Sequence, residues 1–100
     1  MQIQANIVQE SNKWLVSGPV LVDNANTLLL ASELLNFSQQ SHQIDFSNVT
    51  EVDTAAISLM MEWQRRAVSA NCKATFSNLP ANLSSLAMLY GVSEFIPISQ

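Results

Sequence analysis

Ile3, Ala5 and Ile7 alternate with Gln4 and Asn6, the period-2 pattern of a strand with one buried face. Ser11-Asn12 reads as a turn and Lys13 to Gly18 as the returning strand, so the chain opens with a hairpin. Gly18-Pro19 punctuates that strand, and Val20-Leu21-Val22 pairs briefly before Asp23-Asn24 opens a helix. Leu28, Leu29, Ala31, Leu34 and Leu35 recur at helical spacing and give this helix a broad apolar face ending near Asn36. His42 to Phe46 forms a short strand with Ile44 and Phe46 on one face and Asp45 at its close. Ser47 to Val52 is a loop-like approach to Asp53-Thr54, whose side-chain oxygens can cap a long helix from about Ala55 to Asn71. Cys72, Ala74 and Phe76 alternate with Lys73, Thr75 and Ser77 in another strand. Asn78-Leu79-Pro80 then turns into a third helix, Ala81 to Tyr90, stopped by Gly91. Phe95 to Ile98 is an edge strand or packed tail, because Pro97 cannot donate to a central ladder.

A hairpin followed by strand–helix alternation predicts the α/β class: a mixed sheet of four to five strands with three or more helices mainly on one face. No linker, low-complexity segment or internal repeat divides the 100 residues, so residues 1–100 are expected to form a single domain.

Composition narrows the function. The formal charge is −4, and the cations are Lys13, Arg65, Arg66 and Lys73 alone. A nucleic-acid binder needs clustered Lys and Arg to displace phosphate counterions, so no nucleic-acid partner is expected. A polybasic membrane-surface domain is disfavoured for the same reason. The single cysteine, Cys72, excludes an internal disulfide framework and a CxxC motif, and it reads as a small core residue. Met1 to Asn6 carries neither a basic region nor a long apolar run, so no secretory signal is expected. The longest apolar run, Leu28 to Ala31, is far short of the roughly 18 residues of a spanning helix. A cytoplasmic chain without direct membrane insertion is the expectation.

Candidate chemistry is sparse. Two distant glycines, Gly18 and Gly91, leave no Gly-rich phosphate loop. The single histidine, His42, lies three positions from Asp45, which in a strand puts the two on opposite faces. Asp45, Glu51 and Asp53 could bind a hard cation, but carboxylates so placed more commonly cap or stay solvated. No catalytic residue, metal or cofactor is therefore assigned.

The informative stretch is Asp45-Phe46-Ser47 and then Asp53-Thr54-Ala55-Ala56-Ile57 leading into the long helix. It resembles the centre of the STAS domain (sulfate transporter and anti-sigma factor antagonist), whose members place an Asp, a hydroxyl residue and small residues at this strand-to-helix junction. The resemblance extends through the element order over nearly the whole chain and is nearest to the stand-alone MlaB type. It implies a STAS fold and a non-enzymatic subunit that binds the cytosolic ATPase of a phospholipid-transport ABC complex. Membrane association would then come through the complex, in the service of outer-membrane lipid asymmetry. The alternative is an anti-sigma factor antagonist-like signalling module regulated by a partner kinase. In that group a second hydroxyl residue follows the first and accepts a phosphoryl group. Here Thr54 is followed by Ala55, which has no oxygen to accept one.

At about 100° per residue, Ala56, Leu59, Met60, Trp63, Ala67 and Ala70 gather on the side of the long helix that faces a sheet. Ser58, Glu62, Arg65 and Ser69 lie opposite, while Ile57, Met61 and Val68 form a second apolar strip. That strip either packs on a neighbouring helix or docks a partner, a role suited to a flexible methionine. The expected partner-binding residues are Asp53, Thr54, Ala55, Ile57 and Met61.

Overall fold

The computed structural model describes residues 5–37 and 41–99. Strands β1 (Asn6–Glu10) and β2 (Lys13–Val20) form the antiparallel hairpin, turning at Ser11, whose φ is 57°. Helix α1 (Ala25–Ser32), strand β3 (Ser41–Val52), helix α2 (Thr54–Ser69), strand β4 (Lys73–Ser77), helix α3 (Ala81–Leu89), a 3-10 turn (Val92–Glu94) and strand β5 (Ile98–Ser99) follow. The sheet order is β1-β2-β3-β4-β5, with every pairing after the hairpin parallel. The chain therefore has the mixed α/β architecture expected, with a fifth strand of two residues just past Pro97.

One face of the sheet carries the core. Cross-strand partners share a face, so Ile7 with Val16, Trp14 with Ile44, and Ile44 with Phe76 build one continuous apolar surface. Leu28 of α1, Ala56, Leu59, Met60, Trp63 and Ala67 of α2, and Leu83 and Ala87 of α3 all bury themselves in this same cluster. The opposite face is polar. There Lys13 Nζ pairs with buried Asp45 at 3.1 Å, Asn78 donates to Asp45 at 3.0 Å, and Gln43 donates to Ser77 at 2.7 Å.

Several expectations are corrected. Residues 47–52 are not a loop: they extend β3 alongside the second half of β2. Register shifts between Leu15 and Ser17 and between Gly18 and Pro19 give β3 extra residues, and such bulges break the alternation that marks a strand in sequence. Gly18-Pro19 does not end β2 either. The strand continues through Pro19 to Val20, pairing with β3 at Gly18↔Val49, Pro19↔Glu51 and Val20↔Val52. The first strand runs over Asn6–Glu10, one alternation later than read, and Ile3 lies outside the described residues.

Helix α1 stops at Ser32 rather than near Asn36. Its continuation is drawn into tighter bonds, with the N–H groups of Glu33, Leu34 and Leu35 each donating to the carbonyl three residues back. The side chain of Arg66 also donates to the carbonyls of Ser32 (3.1 Å) and Leu35 (3.4 Å), and the guanidinium lies 5.9 Å from the Trp14 ring centre and 5.8 Å from that of Phe37. Trp63 Nε1 donates to Ser32 Oγ at 2.9 Å, so that hydroxyl joins α1 to α2 inside the core. This early ending leaves Leu34 in water (87% exposed), against its assignment to the apolar face. On α2 the sheet-facing residues fall as expected except Ala70, which is the exposed C-cap.

Candidate functional site

Asp53 fastens the junction between β3 and α2. It has extended backbone geometry, and its Oδ1 accepts the N–H of Ala55 at 2.8 Å, capping α2. Its Oδ2 accepts the N–H of Val22 at 2.9 Å, and its own N–H donates to Val20 O at 3.3 Å. One carboxylate thus holds the first turn of α2 against the loop that leads into α1. Asn24 tightens that loop from within: Oδ1 accepts the Leu21 N–H at 2.7 Å, and Nδ2 donates to Pro19 O at 2.6 Å. Asn24 stands at the N-cap of α1, yet its side chain reaches back to the loop instead of capping the helix. Backbone anchored on both sides leaves the Val22 side chain standing in solvent, 73% exposed.

Between these elements runs an open groove of about 500 Å³. Val22, Ala25 and Leu29 form one wall, Thr54, Ala55 and Ser58 the other, and Glu62 lines it further along α2. Most of this surface is apolar or small, so it can desolvate cheaply against another protein. Glu62 accepts from Arg65 Nε at 3.0 Å and forms an ion pair with the same guanidinium, which lowers the Glu62 pKa.

The residues singled out from the sequence separate into different roles here. Thr54 is exposed at the head of the groove and Ala55 is half-buried in its wall. Asp53 is half-buried with both carboxylate oxygens engaged by backbone N–H groups, so it positions the surface. Met61 is 46% exposed and lies two turns past Thr54 on the same ridge, continued by exposed Val68. Ile57 is corrected: at 6% exposure it belongs to the core, and its side chain is not presented to a partner. Val22 and the α1 wall were missed. The only signal for them was the apolar Val20-Leu21-Val22 run, which reads as strand until Asp53 is seen to hold it.

Asp45, Glu51 and Asp53 do not converge. Asp45 lies under the polar face of the sheet while Asp53 caps α2, and among the described residues no three of His, Cys, Asp and Glu come together as a metal site. Burial alone would raise the Asp45 pKa. Hydrogen bonds from Asn78, the Ser47 backbone, Lys13 and the Ser47 hydroxyl outweigh it and hold the value at about 2. Among the described residues no helix is long and apolar enough to cross a membrane.

Residues 7–97 match the family described as Mlab, STAS domain. The chain belongs to this STAS family. Solved structures similar to this STAS domain agree on the fold. A putative anti-sigma factor antagonist from Thermotoga maritima aligns with a TM-score of 0.77 at 10% identity, covering 96% of this chain and 86% of its own. An anti-sigma factor antagonist from Mycobacterium paratuberculosis aligns at 0.73 and 14% identity, covering 95% and 83%. The anti-sigma factor antagonist SpoIIAA, in its unphosphorylated form, aligns at 0.67 and 10% identity, covering 97% and 88%. No curated protein matches the sequence significantly. STAS domains are typically interaction modules, and this one presents a rigid junction and an apolar groove.

Proposed function

We propose that this STAS domain is a non-enzymatic cytoplasmic subunit that docks on the ATPase of a phospholipid-transport ABC complex and supports its assembly or activity. The observation that carries the reading is the junction of Thr54 and Ala55 at the head of a groove walled by Val22 and Leu29. It offers a partner a fixed apolar surface, and Ala55 carries no hydroxyl for a phosphorylation switch. The family description favours the transport assignment over the signalling one. The docking surface is assigned to Thr54, Ala55 and Met61 together with Val22, with Asp53 holding them in register.

Purification of the tagged chain from its native host tests this. An ATPase and a permease retained in stoichiometric amounts support it. A kinase-fold protein retained in their place overturns it and favours the alternative, an anti-sigma factor antagonist-like module.

A further inference from the structure

Helix α3 and the 3-10 turn carry an apolar surface that the domain itself leaves uncovered. Residues 74–93 include no Asp, Glu, Lys or Arg, and no Lys or Arg follows Lys73. Leu83 and Ala87 turn one side of α3 into the core, while Met88, Leu89, Tyr90 and Phe95 are 58–76% exposed. Gly91, at φ 70°, turns the chain so that the 3-10 turn folds back on α3 and brings Phe95 beside Met88. These two side chains edge a cleft of about 490 Å³ walled by Ile96, Pro97 and Ile98. Glu94, the one charged residue lining it among those described, is exposed. None of these residues lines the groove at Thr54.

We infer that this surface is a twofold interface with a second copy of the chain. Area argues for it: the exposed side chains present on the order of 500 Å² per copy, the upper range of what monomers expose, and twice that reaches the roughly 1,000 Å² of a specific contact. Composition agrees. Aromatic residues and Met, with Lys, Glu and Asp depleted, mark an interface core, and contacts between identical subunits are the most apolar. Shape agrees too, because one patch holds both a projecting side chain, Leu89, and an apolar cleft. Each copy seats its Leu89 in the cleft of the other, the reciprocal fit that a twofold axis requires. A lipid surface is the poorer occupant, since faces that bind anionic headgroups carry Lys or Arg and this one has neither. A different protein is commonly selected by charge, for which the patch offers only Glu94.

The test is the oligomeric state of the whole chain. Sedimentation velocity from about 1 to about 200 µM spans the dissociation constant of about 10 µM that an interface of this size supports. Leu89→Glu and Phe95→Glu each bury a carboxylate in the contact and should weaken the dimer about a hundredfold. Leu34→Glu, another exposed apolar position just past α1, should leave it unchanged. Thermal unfolding at concentrations too low for a dimer checks that the variants fold. Amide exchange of the unaltered chain at low and high concentration needs no substitution. Slowing over residues 88–95 in the dimer upholds the inference, and slowing confined to other segments overturns it. A monomer at every concentration, or a dimer as strong in both variants as in Leu34→Glu, also overturns it. In the monomeric case, binding of the chain to vesicles of phosphatidylglycerol and phosphatidylcholine, lost in Leu89→Glu, assigns the patch to a lipid surface instead.

Discussion

The carboxylate of Asp53 accepts the backbone N–H of Val22 at 2.9 Å, joining residues thirty-one positions apart, while its other oxygen caps α2 through Ala55. The relationship couples the stability of α2 to the position of the groove wall. Asp53→Ala removes a cap and leaves two N–H groups without their partner, which should cost about 1–2 kcal/mol. Urea denaturation measures that loss. Amide exchange should also quicken at Val22 and Ala55 while β4 stays protected. Unchanged exchange at Val22 would show that other contacts hold the loop.

The junction should carry no phosphoryl group in the cell. Thr54 is exposed, but the residue after it is Ala55, which has no oxygen to accept a phosphoryl group. Intact-mass spectrometry of protein from its native host is expected to give the unmodified mass. A stoichiometric phosphoryl adduct mapped to Thr54 contradicts the prediction and restores the signalling alternative.

Trp63 has two separable contributions to the core. Its ring is fully buried edge-on to Trp14, with centroids 5.7 Å apart, and its Nε1 donates to Ser32. Trp63→Ala should cost about 3–5 kcal/mol through lost burial and a cavity. Ser32→Ala keeps the ring but strands the indole N–H and one Arg66 donor, and should cost about 1–3 kcal/mol. Chemical denaturation of the two variants checks both, and an unchanged midpoint for Trp63→Ala would falsify the packing described for α2.

Acid should unfold the domain in two stages of known sign. Burial lowers the His42 pKa from its ordinary 6.5, so the native state resists a proton that the unfolded chain accepts, and stability present above 6.5 declines as pH falls below it. Asp45 falls from an ordinary 3.8 to about 2, so its contribution is complete above 3.8 and lost as pH drops through about 2. The Asp45 stage is worth about 2 kcal/mol. Urea midpoints measured from neutral pH to pH 2 should show both declines, and Asp45→Asn should abolish the lower one. A lower decline retained in Asp45→Asn assigns it to another carboxylate.

Charges placed along α2 separate docking from folding. Thr54→Glu and Met61→Glu put a carboxylate on an exposed ridge, so they should fold like Ser69→Glu yet weaken ATPase binding about a hundredfold, the equivalent of two factors of 1.4 kcal/mol. Ile57→Glu should unfold the domain, because that side chain lies in the core. Thermal unfolding and titration of the ATPase give the two readings. Wild-type affinity in Met61→Glu restricts the surface to the groove.

Local pattern was enough for much of this molecule. The alternation of Cys72 to Ser77, the 3.6-residue spacing of Ala56, Leu59, Met60, Trp63 and Ala67, and the capping chemistry of Asp53 each concern neighbours in sequence, and each holds in the fold. The family was legible from Asp53-Thr54-Ala55 for the same reason, since a strand-to-helix junction is a local device. Tertiary structure decided the rest, where groups distant along the chain compete for the same atoms. Bulges against β2 turned residues 47–52 into strand, because pairing satisfies their backbone whatever their side-chain order. Arg66, thirty-four positions from Ser32, binds the carbonyls of Ser32 and Leu35 where α1 ends, and packing into the core buries Ile57. The Val22 wall is tied to α2 by a carboxylate thirty-one residues away that holds its N–H, a bond that no local pattern encodes.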